Sequence, residues 1–479
     1  SSSLLICRAW VRFPPGPPSS FRIPRDEELA QPKLSQVPGN LSTMSYVAPA
    51  PVVRRPWWQR LLRNPWFWVL LVLVLVSAAC VVHTYVNMHA DTEVERDGQK
   101  GVVPGITNQS FKLAFHYAWP TAAVWSAIFI LIDRFRTRHL HVWFLCFCWG
   151  ACIATWISLH VNTWMAGMLS VTGGVDPASG AGPAVYSAPF VEESCKAMVL
   201  FGLAVVMGRR MTSVVQTVSM AGLSAIGFAF VENIMYYARA DNYARVTAAA
   251  GDPKKAVMEM VRLRGVYTSF GHPLFTSMTG IGLALGLRSR SRLVRILAPT
   301  TGFVMAVTGH MLFNGFSSVL PMAALKNLWY VALAIVASVV IFVAIRMMRE
   351  GKMVRNRLED YVKAGWLPES DADTLSALRR RQWAGLVALS HGPRRWWHTL
   401  EFLRTGTDLA YLRDAVARGL EDDPGTRQIQ LIDRLNSLRP MAVTVARGAK
   451  LAKPRLPAFL RRRRSQQVNN ELQWAPPQA

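Results

Sequence analysis

The sequence predicts an all-α polytopic membrane protein of about eight transmembrane helices, followed by a small helical cytosolic C-terminal region. Three observations predict it. The chain is 51% hydrophobic and only 17% charged. Apolar runs long enough to cross a bilayer, about 18 residues or more, recur through its middle. Arginines cluster at the ends of those runs, as they do on the cytoplasmic flanks of membrane helices. The net charge of +25 would suggest nucleic acid in a chain without spans, but here the flanks account for it. No nucleic-acid recognition motif accompanies it, so the expected partner is the lipid bilayer and not nucleic acid. Five of the six cysteines lie in apolar segments with no CxxC pair. They read as buried small hydrophobes rather than a disulfide or zinc framework.

In chain order, residues 1–64 are expected to be a disordered, cytoplasmic N-terminal segment rich in Pro and Ser. Met44 is a candidate start, which would make 1–43 non-native. Residues 65–348 form the transmembrane domain. Its spans are expected near 66–85, 113–132, 140–160, 184–207, 212–238, 266–287, 296–316 and 328–347. Arginine is dense in the N-terminal flank, in the short stretches at 133–139, 208–211 and 288–295, and after 348. The segment at 161–183 has no Lys or Arg. By the positive-inside rule both termini are therefore cytoplasmic. The loop at 239–265 is the exception, with Arg239, Arg245, Lys254, Lys255, Arg262 and Arg264 on the opposite side. Residues 349–479 form a basic tail, with short amphipathic helices expected near Leu375–Leu389 and Leu409–Leu420. The run Arg461–Arg464 reads as a solvated or lipid-facing cluster.

The fourth span carries Glu192, Glu193 and Lys196. A charge at mid-bilayer costs roughly 2.5–3.5 kcal/mol on insertion scales, so something must compensate these three. The fifth span carries Glu232 and Asn233, the sixth His272, and the seventh His310 and Asn314. At ~1.5 Å of rise per residue, Glu192, Glu193, Glu232, His272 and His310 all fall about 10 Å below the outer surface. Glu192 and Lys196 are four apart and share a helix face, as do His310 and Asn314. A carboxylate of such a pair can activate water, and an imidazole with an amide can stabilise an oxyanion. The same residue types also suit Zn²⁺, although there is no HExxH, so these residues leave both routes open. Buried Glu and His equally make proton relays, which keeps a proton-coupled transporter as an alternative. A non-catalytic membrane scaffold of the same fold is the third.

Four segments make the pattern specific. Glu192-Glu193-Ser194-Cys195-Lys196 resembles the EExxK motif of the PrsW family of intramembrane proteases. The stretch from Phe228 to Glu232 and Asn233 resembles that family's FxxxE segment. His272 and the His310…Asn314 pair resemble its remaining motifs. The resemblance covers about residues 140–320 and extends to the wider CAAX prenyl endopeptidase superfamily. It implies a bacterial inner-membrane peptidase that cuts membrane-anchored proteins, of the anti-sigma-factor kind, near the extracytoplasmic face. By that resemblance Glu192, Glu193, Glu232, His272, His310 and Asn314 would be catalytic, with Lys196, Phe228 and Asn233 supporting them. A metal would be held by Glu193, Glu232, His272 and His310.

Overall fold

The computed structural model describes residues 56–96, 99–133, 135, 140–172, 183–207, 211, 213–246, 252–421 and 425–445. Of the segment 1–64 expected to be disordered, residues 1–55 lie outside these residues, as does the Arg461–Arg464 run, whereas Trp57–Leu62 is helical. The described residues from Leu61 onward form one compact unit.

After α1 (Trp57–Leu62), α2 (Pro65–His89) begins at an Asn64 cap whose side chain accepts from the Trp66 N–H. A short antiparallel hairpin follows, β1 (Thr92–Arg96) with β2 (Gln99–Val103). Then come α3 (Asn108–Ile132), α4 (Leu140–Cys148), a π-helical turn at Trp149–Ala154, and α5 (Thr155–Thr172). A second π turn, Pro183–Ser187, leads into α6 (Ala188–Met207). The long α7 (Val214–Val246), α8 (Pro253–Met260) and a third π turn, Val261–Tyr267, precede α9 (Gly271–Leu287). The last spans are α10 (Arg292–Val319) and α11 (Met322–Lys363). Four tail helices follow: α12 (Glu369–Ser376), α13 (Leu378–Ser390), α14 (Pro393–Ala417) and α15 (Gly425–Leu438).

Six of the expected eight spans are long and apolar enough to cross a membrane by composition alone. The other two, α6 and α9, fall short for physical reasons. α6 carries three charges in 20 residues, and α9 has only 17 residues. Both are sheltered by neighbours that are themselves strongly apolar. The central element is α7, with 89% of its apolar window buried, whereas α11 buries only 6% and presents its sides to the surroundings. α7 packs on α3, α4, the first π turn, α6 and α9. Its crossing with the α4–α5 rod depends on glycine. A Cβ at Gly150 would overlap the Ser224 carbonyl, and one at Gly227 the Phe147 carbonyl. Small residues let membrane helices approach closely in this way.

The C-terminal region is more organised than its amphipathic stretches predict. α11 continues well past residue 347, and α12 to α15 pack around its end. Val354, Leu358, Leu375, Phe402, Leu409 and Leu435 build a separate apolar core, and Phe135 from the α3–α4 connection inserts into it. Arg381 is buried beside that core and donates to the carbonyls of Phe135, Leu375 and Leu403 and to Thr407 Oγ1.

Candidate active site

The first three turns of α6 place Glu192, Glu193 and Lys196 against α7, α9 and α10. Two bonds fix the α6 backbone at this point. Trp149 Nε1 donates to the Cys195 carbonyl at 2.9 Å, and Ser224 Oγ to the Lys196 carbonyl at 3.0 Å. The Lys196 ammonium has three protons and three acceptors: Glu193 Oε1 at 2.8 Å, His272 Nδ1 at 2.9 Å and Glu192 Oε2 at 3.3 Å. The Phe228 ring lies 4.2 Å from the same nitrogen, a cation–π contact.

The two glutamates are not equivalent. Glu193 is fully buried and accepts from Lys196 and His310 Nδ1 through Oε1, and from Thr276 Oγ1 at 2.7 Å through Oε2. Glu192 makes one long contact to Lys196, and its side chain keeps 11% exposure. Glu232 is held by Arg264 Nη2 at 2.6 Å and His272 Nε2 at 2.8 Å. An ionised carboxylate only accepts and an ammonium only donates, which assigns the imidazole protons. His272 accepts at Nδ1 from Lys196 and donates from Nε2 to Glu232. His310 donates from Nδ1 to Glu193, so Nε2 is the nitrogen it can offer to another group.

Each residue singled out in the sequence has a definite place. Glu192, Glu193, Lys196, Glu232, His272 and His310 form one hydrogen-bonded network. Asn314 shares the wall of the adjoining cavity with His310. Asn233 stands one step away and accepts from Arg264 Nε at 3.0 Å. Phe228 supports Lys196, and Phe275 stacks on His310 with centroids 5.0 Å apart.

Arg264 and Thr276 were not among the expected residues. Thr276 lies four after His272 on α9, so helical spacing alone puts it on the same face. Arg264 reads in sequence as one more loop charge. The structure folds it inward onto Glu232 and the Tyr236 ring. Arg245, from the same loop, pairs with Asp241 at 2.8 Å. Internal pairing therefore absorbs part of the charge that made residues 239–265 an exception to the positive-inside pattern.

A cavity of about 310 Å³ opens beside the network. Glu192, Glu232, His272 and His310 line it together with the apolar Leu263 and Phe313. Glu192, His272 and His310 each offer a ligand atom within 4.8 Å of the others. This donor set differs from the sequence expectation, which had Glu193 and Glu232 in place of Glu192: both Glu193 oxygens are taken by Lys196, His310 and Thr276, and Glu232 Oε2 by Arg264 and His272. One carboxylate and two imidazoles suit Zn²⁺. Both imidazoles also place a ring nitrogen on a carboxylate, as metal-bound histidines do. Glu192, Glu193 and Glu232 against Lys196 and Arg264 leave one negative charge in excess, which a cation would offset. The residues therefore fit a divalent metal, provided Lys196 releases His272 Nδ1.

Helices that enclose a polar network and a cavity within a membrane bundle supply the setting an intramembrane enzyme needs. Residues 138–345 match the family model described as PrsW family intramembrane metalloprotease. That match runs from α4 into α11. No curated protein and no solved structure matches the chain.

Proposed function

We propose that this protein is an intramembrane endopeptidase that hydrolyses membrane-anchored protein substrates, with Glu192 as the group that activates water. The observation that carries this reading is the asymmetry of the glutamate pair. Glu193 is saturated by Lys196, His310 and Thr276, whereas Glu192 faces the cavity with one long contact.

In this mechanism the substrate strand lies along the cavity wall at Leu263 and Phe313. Glu192 takes a proton from water as the water oxygen attacks the scissile carbonyl carbon. Asn314 donates to the developing oxyanion. The C–N bond then breaks, and Glu192 returns its proton to the leaving amine. Glu193 and Lys196 hold Glu192 in position, while Glu232 and Arg264 hold His272. His310, with its proton on Nδ1, presents a lone pair at Nε2, which suits a metal or a water proton better than an oxyanion. With a divalent metal held by Glu192, His272 and His310, Glu192 would act as a ligand in place of the free base, and the metal would polarise the carbonyl and make a bound water more acidic.

The site lies toward the end of the bundle that carries the β1–β2 hairpin. With the arginine pattern placing both termini in the cytoplasm, cutting occurs near the outer face of a bacterial inner membrane. The test is proteomics of single-span membrane proteins, anti-sigma-factor-like substrates among them, in cells carrying the wild type or Glu192→Gln. Substrates should persist uncut with the variant, and an unchanged cleavage pattern would overturn the proposal. Chelation is the second arm: purified enzyme should lose cleavage and regain it on adding Zn²⁺, whereas activity that survives exhaustive chelation assigns the chemistry to glutamate alone.

A further inference from the structure

The Glu192 site has a second approach, separate from the cavity assigned to substrate. A second, smaller cavity of about 160 Å³ between α5 and α7 is also lined by Glu192 and Glu232. One wall is a polar stripe on α5, with Thr155, Ser158 and Asn162 at helical spacing on one face. The facing wall is α7, where Glu232, Tyr236 and Arg239 recur at the same spacing. A third cavity, of about 460 Å³, continues the path to the surface. It shares Leu159, Met235 and Arg239 with the second, and Asn87, His160 and Thr163 line its mouth.

Two features show that this seam is built for something polar. Asn162 Oδ1 is buried without a hydrogen-bond partner. Ser158 Oγ is also buried and has at most the weak Cys195 thiol beside it. A buried polar atom without a partner carries an uncompensated desolvation penalty. An apolar seam between two membrane helices would avoid that cost, and water filling a polar cavity removes it. The gap is wide enough, since a single water needs only about 10–15 Å³ of probe-occupied space.

We propose that the α5–α7 seam is a water conduit, carrying water from the surface near Arg239, past Asn162 and Ser158, to the back of Glu192. Substrate then occupies the larger cavity, walled by α7, α9 and α10, while water arrives along the α5–α7 seam. A polypeptide that seals its own cavity does not exclude the second reactant. The conduit depends on the peptidase reading only for what the water is used for; that the seam is wet can be measured independently.

The test labels cysteines with iodoacetamide, a small water-soluble thiol reagent, in full-length protein reconstituted in vesicles. Ser158→Cys and Asn162→Cys are each compared with Ser317→Cys, which lines the substrate cavity. The native Cys146, fully buried in the apolar core, is the internal control. Adducts are located by mass spectrometry. The conduit predicts that both seam thiols react at rates within about tenfold of Ser317→Cys while Cys146 stays unmodified. Seam thiols as inert as Cys146, beside a reactive Ser317→Cys, overturn it. Ser158→Cys nearly conserves volume, so the result does not hang on how Asn162→Cys folds. A kinetic arm uses Asn162→Leu, which should lower kcat about tenfold with KM nearly unchanged, and Asn162→Ser, which should restore it. Equal kcat in Asn162→Leu and wild type overturns the conduit but not the peptidase. Reactive seam thiols in a protein that cleaves nothing overturn the peptidase but not the conduit.

Discussion

Lys196 and Arg381 are both buried cations, Lys196 in the membrane bundle and Arg381 in the C-terminal helical region. Arg381 is met by carbonyl oxygens from three places in the chain and by Thr407 Oγ1, and its guanidinium lies against the Phe135 ring. Burial pulls its pKa down to about 10, so it stays charged near neutrality. Lys196 has all its protons matched too, but one of its acceptors, Glu192, borders two cavities. A charge buried to hold helices together is surrounded by backbone dipoles. A charge buried for chemistry leaves a partner facing open space.

That contrast can be broken at several points. The largest effect is expected on activity. Glu192→Gln should lower cleavage by about 10²–10⁴-fold, the usual contribution of a general base, while the melting temperature in detergent changes little. A variant that cuts normally would erase the distinction between the two sites. Lys196→Met leaves Glu193 buried without its cation and should cost about 3–5 kcal/mol, read as a large loss of thermal stability together with activity. Arg381→Met strands buried carbonyls and should cost about 3 kcal/mol. Its signature is limited proteolysis confined to residues after 349, with hydrolysis retained. Loss of hydrolysis at wild-type stability would show that the tail region acts on the site and does more than pack. The smallest effect belongs to Thr276→Val, which removes one bond to Glu193 and should cost about 1.5 kcal/mol in a thermal melt. Glu193 keeps Lys196 and His310, so cleavage should fall less than in Glu192→Gln.

Much of the site was legible in the sequence because membrane helices are stiff rulers. Once spans were assigned, the fixed rise per residue placed Glu192, Glu232, His272 and His310 at one depth, and the structure joins them in one network. Thr276 was legible by the same helical spacing. Arg264 was not, because it sits in the π turn Val261–Tyr267 ahead of α9, where a straight-helix reading fails. The β1–β2 hairpin was legible, since Asp97-Gly98 is a two-residue turn signal beside the alternating Thr92-Glu93-Val94-Glu95, but the expected elements did not include it.

The sequence by itself determined the all-α membrane fold, the order of the spans and which polar residues share a level. These follow from hydropathy and helix geometry, which are local. Only the tertiary structure decided how the charges are shared: Glu193 is consumed, Glu192 is left facing the cavities, and Arg264 is turned inward. It also decided that the tail helices share a core with Phe135. Those outcomes depend on which faces meet when helices far apart in the chain pack together. Adjacent glutamates with equal intrinsic chemistry become different only through those neighbours.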